Sequence, residues 1–560
     1  MTGTDPVDLL VKGTLVDVNT GRLADRTVAV DDGEIVGFGA RPAARTIETE
    51  YLTPGLIDAH MHVEASMVPI PQYGNAVVPH GVTAIVHDPH EIANVLGADG
   101  VREFCADADR TPLKARMTVP SSVPASELQD TGGVLDSAAV AELLDSEAAI
   151  ALGEVMHLDG VLAGDDEIHG KIASARERGL PVDGHMPGVS GPDLHDLARY
   201  LDNDHESVEL AEARAKVDAG LHVYLREGST SKNLESLVDI VEAVDTRRLS
   251  LCTDERNVVD LVERGGINAA LRKAMELGVD PVTAVQMATL NTAEMYDLPF
   301  GRIEPGAPAD MVLLSDLESW DVEHVVVDGV VDPTAEEGAP TESALPTDTV
   351  TFDPVTPTDL AIEYDGQGPM TVRVESAVGS FRTERLTASI PVQSQSGTRV
   401  LIGDTGDDIL PMAVIERHGG PGNVGRGFVH NLGLDRGAVG TTVAHDAHNC
   451  VVAGVTHEAM ARVANELREV GGGLCVYDLE SDDCTTLPLP VAGLLSDGPV
   501  AETARAFEAV DDAAKAIGLS VPGGLMELSY LALEVIPTYR LTNNGLVDVE
   551  EGSFVDVVGE

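Results

Sequence analysis

Six side chains of metal-ligand type stand at the ends of short apolar runs: His60 and His62 in DAHMH, Glu154 in LGEVM, His185 in VDGHM, His205 in NDHES and Asp254 in CTDE. Imidazole suits Zn, Mn or Fe, and a mixed nitrogen and oxygen set does not choose between them. In an extended segment residues i and i+2 share a face, so His60 and His62 point the same way and can chelate one ion. Glu154 has two oxygens with which to bridge two ions, His185 and His205 can hold the second, and Asp254 can bind the first while facing a substrate. Two ions held in this way would make water a nucleophile near neutral pH. A lone histidine at a strand end is more often a hydrogen-bonded structural residue. Six ligand-type residues in the order H-x-H, E, H, H, D are hard to explain that way.

The elements that would position them repeat. Eight apolar runs read as strands, at 55–62, 81–90, 114–122, 149–156, 180–186, 199–206, 221–227 and 249–255, with amphipathic stretches such as AVAELLDSEA and LVDIVEAVDT between them. Eight β-α repeats over about 250 residues are what a (β/α)8 TIM barrel requires, and its active site lies at the C-terminal ends of the strands. All six residues fall there. The expected fold class is therefore α/β, with the barrel over 54–300. Alternating short strands at 1–53, with an Asp32-Gly33 hairpin signal, and again at 301–331 suggest one composite small β domain interrupted by the barrel. A stretch rich in Pro, Thr, Asp and Glu at 332–359 reads as a linker, and 360–560 as a C-terminal α+β domain.

Composition narrows the partners. The 560 residues carry 94 Asp+Glu against 36 Lys+Arg, a net charge of −58, with 43% hydrophobic content. A polyanionic surface repels phosphate backbones and anionic lipid, which argues against nucleic acid and membrane partners. Lysine is nearly absent, limited to Lys12, Lys114, Lys171, Lys216, Lys232, Lys273 and Lys515. This pattern fits a halophile surface in molar salt, where the Debye length falls to about 3 Å and self-repulsion is screened. Cys105, Cys252, Cys450, Cys475 and Cys484 show no C-x-x-C spacing, so reduced thiols are expected. The N-terminus shows no basic region followed by an apolar one, and a cytoplasmic location is expected. A homo-oligomer, a dimer, is the expected assembly.

The motifs resemble the amidohydrolase superfamily of metal-dependent hydrolases, and within it the adenine deaminases of the bacterial and archaeal type. TPGLIDAHMHVEASM (53–67), VHDPHEIANVLG (86–97), LGEVM (152–156), VDGHMPGVSG (182–191), NDHES (203–207), YLREGSTSKNL (224–234) and LCTDE (251–255) carry the resemblance. VAHDAHNCVVAG (443–454) and LPLPVAGLLS (487–496) extend it into the C-terminal domain. DPHEIANVLG and HDAHN narrow it to adenine deaminase. Many superfamily members bridge their metals with a carboxylated lysine on strand four; this chain has Glu154 there. Asp254-Glu255 stands where the family often has two aspartates, and Asn203 where serine is frequent.

The resemblance implies deamination of adenine to hypoxanthine and ammonia, in purine salvage or adenine catabolism, with two divalent ions, Mn2+ first and Fe2+ or Zn2+ as alternatives. Asp254 would relay the proton from water to the leaving amine. The donor to the ring nitrogen is expected at Glu91 with His90 beside it, then at Glu64; positioning of ligands or loops is the competing role for both glutamates. Arg226 and Glu227 are candidate purine contacts. His445, Asp446, His448 and Asn449 could touch substrate or metal, or simply form a hydrogen-bonded turn. A dihydroorotase- or hydantoinase-like enzyme is the alternative, disfavoured by the missing lysine. A metal-binding scaffold without turnover would be expected to have lost ligands.

Overall fold

The computed structural model describes residues 6–333, 343–366, 368–379, 382–395 and 397–559. The chain divides into two compact units, and the division does not follow chain order: one takes 1–89, 104–122 and 136–341, the other 90–103, 123–135 and 342–560.

In the first unit, strands Val7–Asp17, Arg22–Asp31, Glu34–Phe38 and Ala43–Pro54 share a seven-stranded sheet with Met311–Asp316, Asp321–Val327 and Val330–Val331. Ala43–Pro54 pairs with Met311–Asp316, joining segments from either side of the barrel. Asp32 and Gly33 both have positive φ, 50° and 79°, as a tight hairpin turn with right-handed strand twist demands. Alternate residues Leu9, Val11, Val28, Val30, Leu52, Met311 and Leu313 pack together beneath this sheet.

The barrel strands are Leu56–His62, Val82–His87, Lys114–Val119, Ala149–Val155, Val182–Gly184, Asn203–Asp204, His222–Arg226 and Leu249–Cys252, and the ladders between them are parallel. Asp254–Glu255 prolongs the eighth and pairs with Met61 and His62 on the first, and Asp202 N donates to the Val182 carbonyl where the ladder between the fifth and sixth strands is interrupted. The sixth strand is much shorter than the 199–206 expected, because residues 198–200 complete the turn after helix Gly191–Leu197. LVDIVEAVDT also differs from expectation: beyond Leu234–Leu237 the chain tightens into a 3-10 helix over Val238–Glu242. The β-branched Val238, Ile240 and Val241 are poor α-helix formers.

The second unit is built on an eight-stranded sheet in the order 382–390, 370–379, 424–430, 409–415, 450–454, 438–441, 473–478 and 483–488. Helix His457–Val470 buries Met460, Val463, Ala464 and Leu467 in a cluster with Ala413, Val452 and Cys475 of the sheet. Of the stretch expected as a linker, 334–342 lie outside the described residues. Residues 343–359 carry no helix or strand, yet Phe352 is buried in the same cluster and Thr351 N donates to the Arg417 carbonyl. Among the described residues no helix is long and apolar enough to cross a membrane.

Candidate active site

The barrel brings His60, His62, Glu154, His185, His205 and Asp254 together at the C-terminal ends of their strands. His60, His62 and Asp254 place one donor atom each within 4.8 Å of one another, as do His60, Glu154 and His205. His62 Nε2 lies 3.2 Å from Asp254 Oδ1 and 3.4 Å from Glu154 Oε1. His185 Nδ1 lies 2.7 Å and His205 Nε2 3.3 Å from Glu154 Oε2. Glu154 thus turns one oxygen to each histidine group.

The orientation of these side chains is set from behind. The Asp88 carbonyl can only accept, so the His62 Nδ1 at 2.9 Å carries the hydrogen and leaves the Nε2 lone pair facing Glu154 and Asp254. Asp88 Oδ2 accepts from Glu154 N at 3.1 Å. This close approach requires Gly153, since a Cβ there would sit 2.1 Å from Asp88 Oδ2. Ser121 Oγ donates to the Glu154 carbonyl at 2.6 Å, and Lys171 Nζ to the Ser121 carbonyl at 2.8 Å. Asp58, two residues before His60, takes the Thr253 N–H and hydroxyl at 3.0 and 2.6 Å and fixes the residue next to Asp254. Asp254 itself is left-handed, φ 61°, a costly conformation of the kind that collects at functional sites.

Electrostatics divide the six. Burial presses on both carboxylates, but Arg226 holds Asp254 well below its usual range, and His185 and His205 do the same for Glu154. Burial, with His205 close by, lowers His60 to about 4. For His185 burial is outweighed by Glu206 and Glu154, which lift it to about 9. His60 Nε2 and both ring nitrogens of His205 are buried without a hydrogen-bond partner. Unpartnered imidazole nitrogens beside ionised carboxylates are a donor set that fits a divalent metal ion.

Arg226, expected at the purine, donates from Nη1 to Asp254 Oδ2 at 2.5 Å and also to Glu206 Oε1. Glu206, which adjoins His205, is not among the ligands expected from the sequence. Its Oε1 lies 3.5 Å from His205 Nε2, and it forms a potential ligand group with His185 and His205. A carboxylate one residue after a candidate ligand is the signal that could have found it. Glu227 forms a looser pair with Lys232, 3.7 Å apart. Glu64 is buried in the 3-10 turn Val63–Ser66 that follows the first barrel strand.

The other expected residues belong to the second unit, where helix His90–Ala106 begins. Glu91 is buried between two imidazoles, its Oε1 against His445 Nδ1 and its Oε2 against His448 Nε2. Ala444 N donates to His448 Nδ1 at 3.1 Å, so Nε2 carries the hydrogen and donates to Glu91. Burial opposes charge on Glu91, but His445 and His448 hold its carboxyl well below the usual range. His90 Nε2 lies 3.4 Å from Glu91 and 3.9 Å from Asp446 Oδ1. The His445 ring stacks on Tyr530 at 4.8 Å. Asn449 is engaged elsewhere, donating to the Asp130 carbonyl at 2.9 Å and accepting from Arg417 N.

Comparison with known proteins agrees with both units. Residues 51–331 match the model of the amidohydrolase family, and 380–553 that of the adenine deaminase C-terminal domain. Among solved structures, N-acetyl-D-glucosamine-6-phosphate deacetylase from Mycobacterium smegmatis overlays with a TM-score of 0.44 at 17% identity, over 58% of this chain and 99% of that one. The adenine deaminase of Desulfatibacillum aliphaticivorans is 38% identical, over 99% of this chain and 98% of its own. That of Nitratidesulfovibrio vulgaris Hildenborough is 40% identical, over 99% and 97%. The chain belongs to the adenine deaminase family of the amidohydrolases.

Proposed function

We propose that this chain hydrolyses adenine to hypoxanthine and ammonia through a site for two divalent ions, serving purine salvage and adenine catabolism. The observation that carries the two-ion reading is Glu154, whose Oε1 faces His62 and whose Oε2 faces His185 and His205. His60, His62 and Asp254 would hold one ion and His185 and His205 the other. Mn2+ is proposed first, with Fe2+ and Zn2+ as alternatives. When bound, such ions supply water activated for attack at neutral pH.

The chain's own residues supply the proton transfers. Arg226 pairs with Asp254 and keeps its carboxylate ionised, able to take the proton of the attacking water and pass it to the departing amine. In this arrangement Arg226 orients Asp254, and Glu227 remains the proposed purine contact. For the ring nitrogen, Glu91 is proposed ahead of His90 and Glu64; since His445 and His448 hold its carboxyl ionised, it would first have to take up the proton that it passes on. Glu91→Gln keeps the shape of the side chain and removes the carboxylate. Its kcat is expected to fall about 10²-fold or more with unchanged metal content; unchanged turnover excludes Glu91 from proton transfer.

The substrate assignment is tested on the metal-loaded chain with adenine, dihydroorotate and hydantoin in parallel. Ammonia and hypoxanthine from adenine, with both cyclic amides left intact, are expected. Ring opening of a cyclic amide without adenine turnover replaces this reading by the hydantoinase-like one.

A cytoplasmic, halophilic setting and a dimer complete the proposal. The −58 net charge supports the first, since repulsion among those groups is screened only at high salt. Dialysis from molar KCl into millimolar buffer is expected to lower the melting temperature by more than 10 °C, roughly 2.5 to 5 kcal/mol or more for a large domain. An unchanged melting temperature removes the halophile reading, and light scattering on the same samples reads the assembly.

A further inference from the structure

Lys216 is wholly buried on helix Leu210–Asp218, in a chain that has almost dispensed with lysine. Its ammonium has three N–H groups and three acceptors: the Met186 carbonyl at 2.6 Å, Asp204 Oδ2 at 2.8 Å and Glu212 Oε1 at 2.8 Å. Met186 follows His185 directly, and Asp204 directly precedes His205. Asp204 reinforces the same join: its Oδ1 accepts from Met186 N at 2.8 Å, and its Oδ2 from Glu206 N and Ser207 N at 3.2 and 3.1 Å. Glu212 adds Gly188 N at 2.8 Å. The ends of the fifth and sixth barrel strands are thereby knotted around one cation, where the fifth strand's ladder does not continue into the sixth.

We propose that Lys216 is the positioning residue of the second ion site. It sets the spacing of His185 and His205 without touching the ion or the substrate. The inference rests on the two-ion reading above. His60, His62 and Asp254 stand on the first strand and the extension of the eighth, whereas the knot joins the fifth and sixth, so loss of Lys216 should weaken the second ion's site more than the first's. Lys216→Met removes the charge at similar length, Lys216→Arg keeps it, and Glu212→Gln loosens the knot while retaining an acceptor.

The test loads metal-free chains with Mn2+ alone in molar KCl. It counts ions by mass spectrometry and measures each affinity by chelator competition, with circular dichroism reporting the fold. Wild type is expected to take up two ions. Lys216→Met should bind the first within about threefold of wild type and the second 10- to 100-fold more weakly, the range typical when a group behind a metal ligand is removed. Lys216→Arg should recover part of the loss, and Glu212→Gln should show a smaller selective loss. Wild-type affinity for both ions in Lys216→Met overturns the inference, as does equal weakening of both. If Lys216→Met does not fold, Glu212→Gln decides on the same criterion. A wild-type chain that saturates at one ion refutes the two-ion reading itself, and this inference falls with it.

Discussion

Glu154→Gln is expected to lower kcat by about 10³-fold and to cost the chain one of the two ions proposed for it. The carboxylate presents Oε1 to His62 and Oε2 to His185 and His205. An amide replaces one of those oxygens by an N–H2 group, which can donate but cannot bind a cation. The lost negative charge also uncovers the positive charge gathered between the two histidine groups. Removing one preorganised charged group from a buried site commonly costs 10²- to 10³-fold in rate, and the missing ion adds to that. Metal analysis beside steady-state kinetics checks both parts. Two ions with near-normal kcat would remove Glu154 as the bridge and return the site to a single-ion design.

Asp254→Asn separates metal binding from proton transfer. Asparagine keeps an oxygen toward His60 and His62, where Asp254 Oδ1 now lies 3.5 and 3.2 Å away, but it has no basic site for the proton of water. The expected loss in kcat is about 10²- to 10⁴-fold, the usual contribution of a positioned general acid-base group. KM for adenine should change far less, because the proposed relay acts on the attacking water and leaving amine. The partnership with Arg226 gives a control: Arg226→Met releases Oδ2 and should reduce kcat by a smaller factor. A kcat within threefold of wild type in Asp254→Asn assigns the proton relay elsewhere.

The residues that a local pattern can expose were legible in the sequence. His60 and His62 reveal themselves by i, i+2 spacing in an apolar run, and Glu154, His185, His205 and Asp254 by ending other such runs. The groups that aim them were not. Asp88 reaches Glu154 across 66 residues and Lys216 reaches Met186 across 30, and no periodicity connects such pairs. Arg226 was legible as a cation at a strand end; its carboxylate partners Asp254 and Glu206 appear only once the strands are side by side. The eight repeats were readable from hydropathy. The shortness of Asn203–Asp204 was not, since Tyr200 and Leu201 are as apolar in a helix-ending turn as in a strand. Nor does composition reveal that Phe352, inside a Pro/Thr-rich stretch, is buried in the core of the second unit.

Two divalent ions held by these six residues are proposed to drive adenine deamination. Stepwise addition of Mn2+ to the metal-free chain in molar KCl, with ammonia release from adenine measured at each point, tests this most directly. The rate is expected to rise until two ions are bound per chain and then stay level, with hypoxanthine formed in step with ammonia. A chain carrying both ions that leaves adenine unchanged, or one that reaches its full rate at a single ion, would contradict it.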